Sequence, residues 1–131
     1  MKKETLKRIF VIEDDRFFGE VVKQELSKLK QVVVEVFSSA EECMGKMNEA
    51  PELIILDFAL HKGEVDHMNG HEALNHFRTN NAAQKVLFVS GKSDLGLLEQ
   101  YKVFRSVDYI EKSDACIRRM VEKVKYQLTA A

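Results

Sequence analysis

The sequence predicts a doubly wound α/β sandwich in which five parallel strands are joined by five helical crossovers. Three observations carry this expectation. Apolar runs of strand length alternate with stretches at helical spacing along the whole chain. Three of the runs end abruptly in charge: 9–12 leads into Glu13, Asp14 and Asp15, 53–56 into Asp57, and 109–111 into Lys112. Parallel strands also need helical crossovers, which are right-handed, and such sheets gather ligand-binding residues at the carboxyl ends of their strands.

The elements follow in order. Residues 8–12 form a continuous apolar run of the kind buried on both faces of a parallel sheet. After the acidic turn, Phe17, Phe18, Val21, Val22, Leu26 and Leu29 recur at helical spacing. Residues 31–37, β-branched and short, read as the second strand. Ser38 and Ser39 with Glu41 and Glu42 offer a capping box for a second helix that ends near Asn48, ahead of Pro51. The third strand is 53–57. A third helix runs over about 70–78 with Ala73, Leu74 and Phe77 inward, and the fourth strand is 85–90.

A weaker helix follows around Leu95, Leu97, Leu98 and Tyr101, weakened by Gly96 because glycine costs helix stability. The fifth strand is 107–110. Ser113 is placed to cap a last helix whose Ile117, Met120, Val121, Val124 and Leu128 make one apolar stripe. Spacing alone does not order the strands in the sheet.

Composition narrows the function classes. The 131 residues suit one domain with one core, and 45% apolar and 31% charged residues are ordinary for a globular protein. Twenty basic and 21 acidic side chains leave a net charge of −1, so the balance gives no reason to expect direct contact with nucleic acid or an anionic membrane. No apolar run approaches a membrane span or a signal peptide. Cys43 and Cys116 stand far apart without metal-ligand spacing and read as reduced thiols, so a cytoplasmic location is expected.

The chemistry sits at the strand ends. Glu13, Asp14 and Asp15 crowd three carboxylates into one turn, which a cation relieves, although an acidic turn also suits the start of a helix. Mg²⁺ fits such a site, since it takes oxygen ligands and is held by one or two carboxylates together with substrate phosphate. Asp57 directly follows ELIIL, where a carboxylate needs a partner, and Lys112 is the candidate. Ser90 adds a hydroxyl at a fourth strand end, and Gly91 beside it leaves room for a ligand. A rim salt bridge explains Asp57 with Lys112 alone; the surplus of acid favours a metal and a phosphoryl group.

These residues resemble the receiver domain of two-component response regulators over nearly the whole chain. FVIEDD resembles the family's first-strand acidic pair, placed on Glu13 and Asp14; LIILD resembles the phosphoacceptor strand; FVSG is similar to the family's hydroxyl residue plus small residue; and DYIEKS is similar to the strand bearing its lysine. The resemblance implies a CheY-like, flavodoxin-like sheet of order 2-1-3-4-5. It implies phosphoryl transfer onto Asp57 from a histidine kinase or a histidine phosphotransfer protein. Mg²⁺ would then be held by Glu13, Asp14, Asp57 and the backbone carbonyl of Ala59. It also gives Lys112 and Ser90 phosphoryl contacts and makes Tyr109, with Ser90, a switch acting on a downstream protein through the last helices. The chain is then a signalling domain rather than a turnover enzyme, one receiver over 1–131 with no output domain in it.

Departures from the family pattern leave an alternative open, a receiver-like adaptor that binds partners without phosphorylation. His61 stands where the family usually has proline, four residues after the phosphoacceptor, and Gly70 opens the next helix later than usual, so HKGEVDHMNG is a lengthened loop beside the site. Ser113 replaces a proline that often follows the lysine, and Ala59 and Lys92 occupy positions that tune dephosphorylation in the family. Other classes fit less well. An aspartate-nucleophile phosphatase wants a second acid where Ala59 stands. The acidic turn after the first strand would repel a nucleotide phosphate. His67 and His71 lie near His61 and His76 but have no third ligand at zinc spacing.

Overall fold

A computed structural model describes residues 5–61 and 63–129. Five parallel strands, β1 (Lys7–Ile12), β2 (Val32–Phe37), β3 (Leu53–Asp57), β4 (Val86–Ser90) and β5 (Val107–Glu111), form one sheet in the order 2-1-3-4-5. Each strand lies within a residue of its expected bounds. The helices are α1 (Arg16–Leu26), α2 (Ala40–Met44), α3 (Gly70–Asn80) and α4 (Cys116–Thr129), and the crossover from β4 to β5 is a 3₁₀ helix, Lys92–Tyr101.

The two-residue period of the strands divides the core into two layers. On one face Phe10, Ile12, Ile54, Leu56 and Phe88 pack against α2, α3 and the 3₁₀ crossover through Cys43, Leu74, Phe77, Leu98 and Tyr101. On the other, Ile9, Val11, Ile55, Leu87 and Val89 meet α1 and α4 through Val22, Leu26, Met120 and Val124. Both faces of β3 and β4 are covered, which is why their runs are apolar without alternation.

Four local expectations are corrected. The second helix stops at Met44 rather than near Asn48, and a separate 3₁₀ turn, Met47–Glu49, brings the chain to Ala50 in a left-handed conformation (φ 53°) before Pro51. Proline disfavours the helical region in the residue before it, so no helix carries through Ala50 into Pro51. The weak fourth helix is wound as 3₁₀ around Gly96. Ser113 supplies its carbonyl to the Cys116 amide at 3.0 Å, and α4 begins at Cys116. The expected box at α2 is half formed: the Ser39 hydroxyl accepts the Glu42 amide at 3.2 Å, while the Glu42 carboxylate takes a hydrogen bond from the Ser38 hydroxyl. A full capping box sits instead at α3, between Asn69 and Glu72.

Candidate functional site

The site stands at the carboxyl edge of the central strands. Register pairs Ile12 with Leu56 and Asp57 with Val89, so the residues that follow β1 and end β3 and β4 become neighbours. Single backbone bonds carry the ladder one residue further. The Glu13 amide donates to Phe37 at 2.9 Å, the Phe58 amide to Val89 at 2.9 Å and the Lys112 amide to Ser90 at 2.7 Å. Glu13, Asp57 and Lys112 are therefore held by the sheet, not by mobile loops.

Glu13 and Asp57 are buried, at 3% and 5% exposure, and Asp14 lies open to solvent beside them. One carboxylate oxygen from each lies within 4.8 Å of the others. Lys112 Nζ stands 3.2 Å from Glu13 Oε1 and 3.8 Å from Asp57 Oδ2. The other Asp57 oxygen accepts the Ala59 amide at 3.0 Å, so the carboxylate is fixed at both ends. The acidic turn splits its labour: Asp15 caps α1, accepting the Phe18 amide at 3.2 Å, while its own amide donates to Glu13 Oε2. The helix-cap reading of this turn therefore holds for Asp15 and not for its two neighbours.

Two buried carboxylates face one ammonium. Burial first, then the charge of Asp57 and a hydrogen bond to it, push Glu13 up to about 8, against the opposing pull of the Asp15 amide and Lys112. Burial alone would lower Lys112; the charges of Asp57 and Glu13 outweigh it and raise its pKa. Lys112 also lies 4.8 Å from the centre of the Phe18 ring, whose face suits a cation. A buried carboxyl pushed toward its protonated form by burial and by the charge of Asp57, beside two other carboxylates offering oxygen, fits a hard divalent cation.

The remaining expected residues lie around this centre. Ser90 is fully buried, and its hydroxyl donates to the Gly91 carbonyl at 3.0 Å instead of reaching Asp57. Tyr109 is half-buried on β5 and lines a cavity of about 260 Å³ with Phe88, Leu98 and Tyr101. The histidines do not converge on a metal. His61 and His67 stack with ring centres 4.3 Å apart, His71 hydrogen-bonds the Tyr101 hydroxyl, and among the described residues Glu13, Asp14 and Asp57 make the one cluster with metal-ligand geometry.

Sequence reasoning missed how the lengthened loop is held. His61 has φ 47°, which proline with its fixed negative φ cannot adopt, so the turn here differs from a proline turn. Its ring reaches the Ser38 carbonyl and Glu64, and Glu41 accepts the Met68 amide at 2.8 Å, tying the loop to the start of α2. Gly70 was legible only as the start of a helix. A Cβ there would stand 2.6 Å from the Phe58 carbonyl and 2.9 Å from that of Asp57, so α3 is seated against the backbone that carries Asp57.

Comparison with known proteins agrees with this geometry. Residues 9–125 match the family described as response regulator receiver domain. The transcriptional regulatory protein MalR of Bacillus subtilis is 30% identical over 108 residues, which are 79% of this chain and 43% of that protein, so the chain spans under half the length of this relative. A CheY-like response regulator receiver domain from Methanospirillum hungatei superposes with a TM-score of 0.77 at 28% identity, over 95% of this chain and 94% of that one. The receiver domain of NtrX from Brucella abortus shares the fold at a TM-score of 0.80 and 20% identity, over 94% of this chain and 99% of that one. The match runs from β1 into α4 and takes in the acidic turn, Asp57 and Lys112; the chain belongs to the response regulator receiver domain family.

Proposed function

We propose that this chain accepts a phosphoryl group on Asp57 from the phosphohistidine of a histidine kinase or histidine phosphotransfer protein and thereby switches its binding to a downstream protein. The observation that carries the reading is the Asp57 carboxylate. It is buried, fixed by the Ala59 amide, faces Lys112, and lies beside two further acids. An Asp57 oxygen attacks phosphorus, the phosphorus–nitrogen bond breaks, and its electrons return to the donor imidazole. Positioning and electrostatics do most of the work in such transfers.

Glu13, Asp14, Asp57 and the Ala59 carbonyl would hold Mg²⁺, which when bound neutralises charge on the phosphoryl oxygens. Lys112 then pairs with a phosphoryl oxygen. The Ser90 hydroxyl leaves the Gly91 carbonyl to donate to another phosphoryl oxygen, and Tyr109 turns into the cavity against Phe88 and Leu98. That movement changes the surface of the last helices, where a protein target binds; direct contact with nucleic acid forms no part of this reading. The chain acts as one receiver domain in the cytoplasm.

The test is intact mass after incubation with acetyl phosphate and Mg²⁺. One added phosphoryl group is expected, with none in Asp57→Asn or after chelation. Modification that persists in Asp57→Asn overturns the assignment of Asp57, and an unmodified native chain returns the reading to an adaptor that binds without phosphorylation.

A further inference from the structure

The net charge of −1 conceals a separation along the strands. The acids of the site gather at the carboxyl edge of the sheet. At the opposite edge, below β4 and β5, a groove of about 370 Å³ is lined by Arg78, Lys85 and Arg105 together with Ala82, Ala83, Val103, Phe104 and Ser106, and by no carboxylate. Its walls are fixed, since the Ser106 hydroxyl donates to the Ala82 carbonyl at 3.4 Å and Lys85 Nζ to the Gln127 carbonyl at 2.7 Å.

The Arg78 guanidinium lies 3.5 Å over the Phe104 ring, its Nε sealed off without a hydrogen-bond partner, and among the described residues neither Arg78 nor Arg105 makes an ion pair. Beside them Val103 is 79% exposed. Stacking pre-orients a guanidinium and leaves its terminal nitrogens for a carboxylate, and arginine on an aromatic face recurs at recognition sites.

The same edge continues around the end of α4. Lys7 Nζ donates to the Leu128 carbonyl at 2.6 Å, one residue along from the carbonyl held by Lys85. Beyond it a second groove of about 270 Å³ has Lys7, Lys30 and Lys125 around Leu29 and Leu128, again with no carboxylate in its lining. Two shallow grooves, each with apolar residues and with cations as its only charged lining, flank one helix terminus.

We propose that this edge docks an acidic polypeptide segment, its carboxylates on Arg78 and Arg105 and an apolar side chain seated on Phe104 and Val103. Charge complementarity selects the acid, and the apolar floor selects a polypeptide over other polyanions. A nucleic-acid backbone brings phosphates but no aliphatic side chain to seat on Phe104 and Val103. The edge lies away from Asp57, so this inference stands whether or not the chain is phosphorylated.

Fluorescence anisotropy with a short labelled peptide alternating glutamate and leucine tests it. The peptide is expected to bind, a glutamine–leucine peptide not, and Arg105→Glu or Arg78→Gln to lower affinity by about tenfold or more. Lys102→Gln, whose cation is paired with Glu99 outside both grooves, is expected to bind as the native chain does. Arg105 is exposed, so its substitution leaves the fold intact, which a melting curve checks. No binding of the acidic peptide, undiminished binding by Arg105→Glu, or tighter binding through these arginines to a DNA duplex or to phosphatidylserine vesicles overturns the proposal.

Discussion

Lys112 stands closer to Glu13 than to Asp57, 3.2 Å against 3.8 Å, although Asp57 is the residue it is expected to serve. The ammonium thus sits nearer the residue that follows β1 than the one that ends β3, between the two buried side chains.

The first consequence is a pH dependence. Glu13 titrates at about 8 in the folded chain against an ordinary 4.5, so between these values the native state holds a proton that the unfolded chain has lost. The contribution of Glu13 is fully present below the lower value and fades as pH rises through the upper one. Protein without added metal is expected to melt at progressively lower temperature across pH ~5 to ~8, with little further change above that range. Glu13→Gln flattens that slope. Mg²⁺ binding, which needs the carboxylate, tightens over the same range and releases protons, as calorimetry in buffers of different ionisation enthalpy would register.

Removing the ammonium isolates its two roles. Lys112→Met leaves Glu13 and Asp57 buried without a cation, and at pH ~8 is expected to cost about 1–2 kcal/mol of stability in urea melts. That is less than for a fully enclosed pair, because Lys112 is itself about a third exposed. The same variant is expected to bind divalent cations more tightly, since a like charge beside the site is gone.

Gly70→Ala tests the seat of α3. The added methyl meets the Phe58 and Asp57 carbonyls at under 3 Å, and these are backbone atoms that cannot swing aside. A loss of about 1–3 kcal/mol is expected, as for other overpacked interiors. Acetyl phosphate should also modify Asp57 more slowly, because relief of the clash moves the backbone that carries it.

The cysteines offer a chemical clock for opening. Burial, with a smaller contribution from the charge of Glu35, pushes the Cys43 thiol up to about 12, and both Cys43 and Cys116 are buried and free. Since the thiolate is the reactive form, an aromatic disulfide reagent is expected to titrate neither residue in the native chain and both in denaturant.

What the sequence revealed and concealed divides along physical lines. Strands buried on both faces write themselves as unbroken apolar runs, so β1, β3 and β4 and the charged residues ending them were legible at once. Strand order is a matter of long-range pairing that no local pattern encodes, and it came from the family resemblance. The 3₁₀ winding of the fourth crossover was visible only as a poor helix around Gly96. The hold of His61 and Glu41 on the long loop was invisible, because it rests on single polar contacts between segments distant in sequence. The preference of Lys112 for Glu13 depends on differences below an ångström, which no pattern of residues expresses.

The ten-residue 3₁₀ crossover joins β4, which ends at Ser90, to β5, which carries Tyr109. Helices of this type have poorer hydrogen-bond geometry than α-helices and seldom persist beyond a single turn. It is therefore a crossover with a weak cooperative hold on its own backbone, the kind of segment that opens as a local unit before the strands beside it. A rearrangement begun at Ser90 can be absorbed there by rewinding a few bonds, while the sheet that positions Asp57 keeps its full protection.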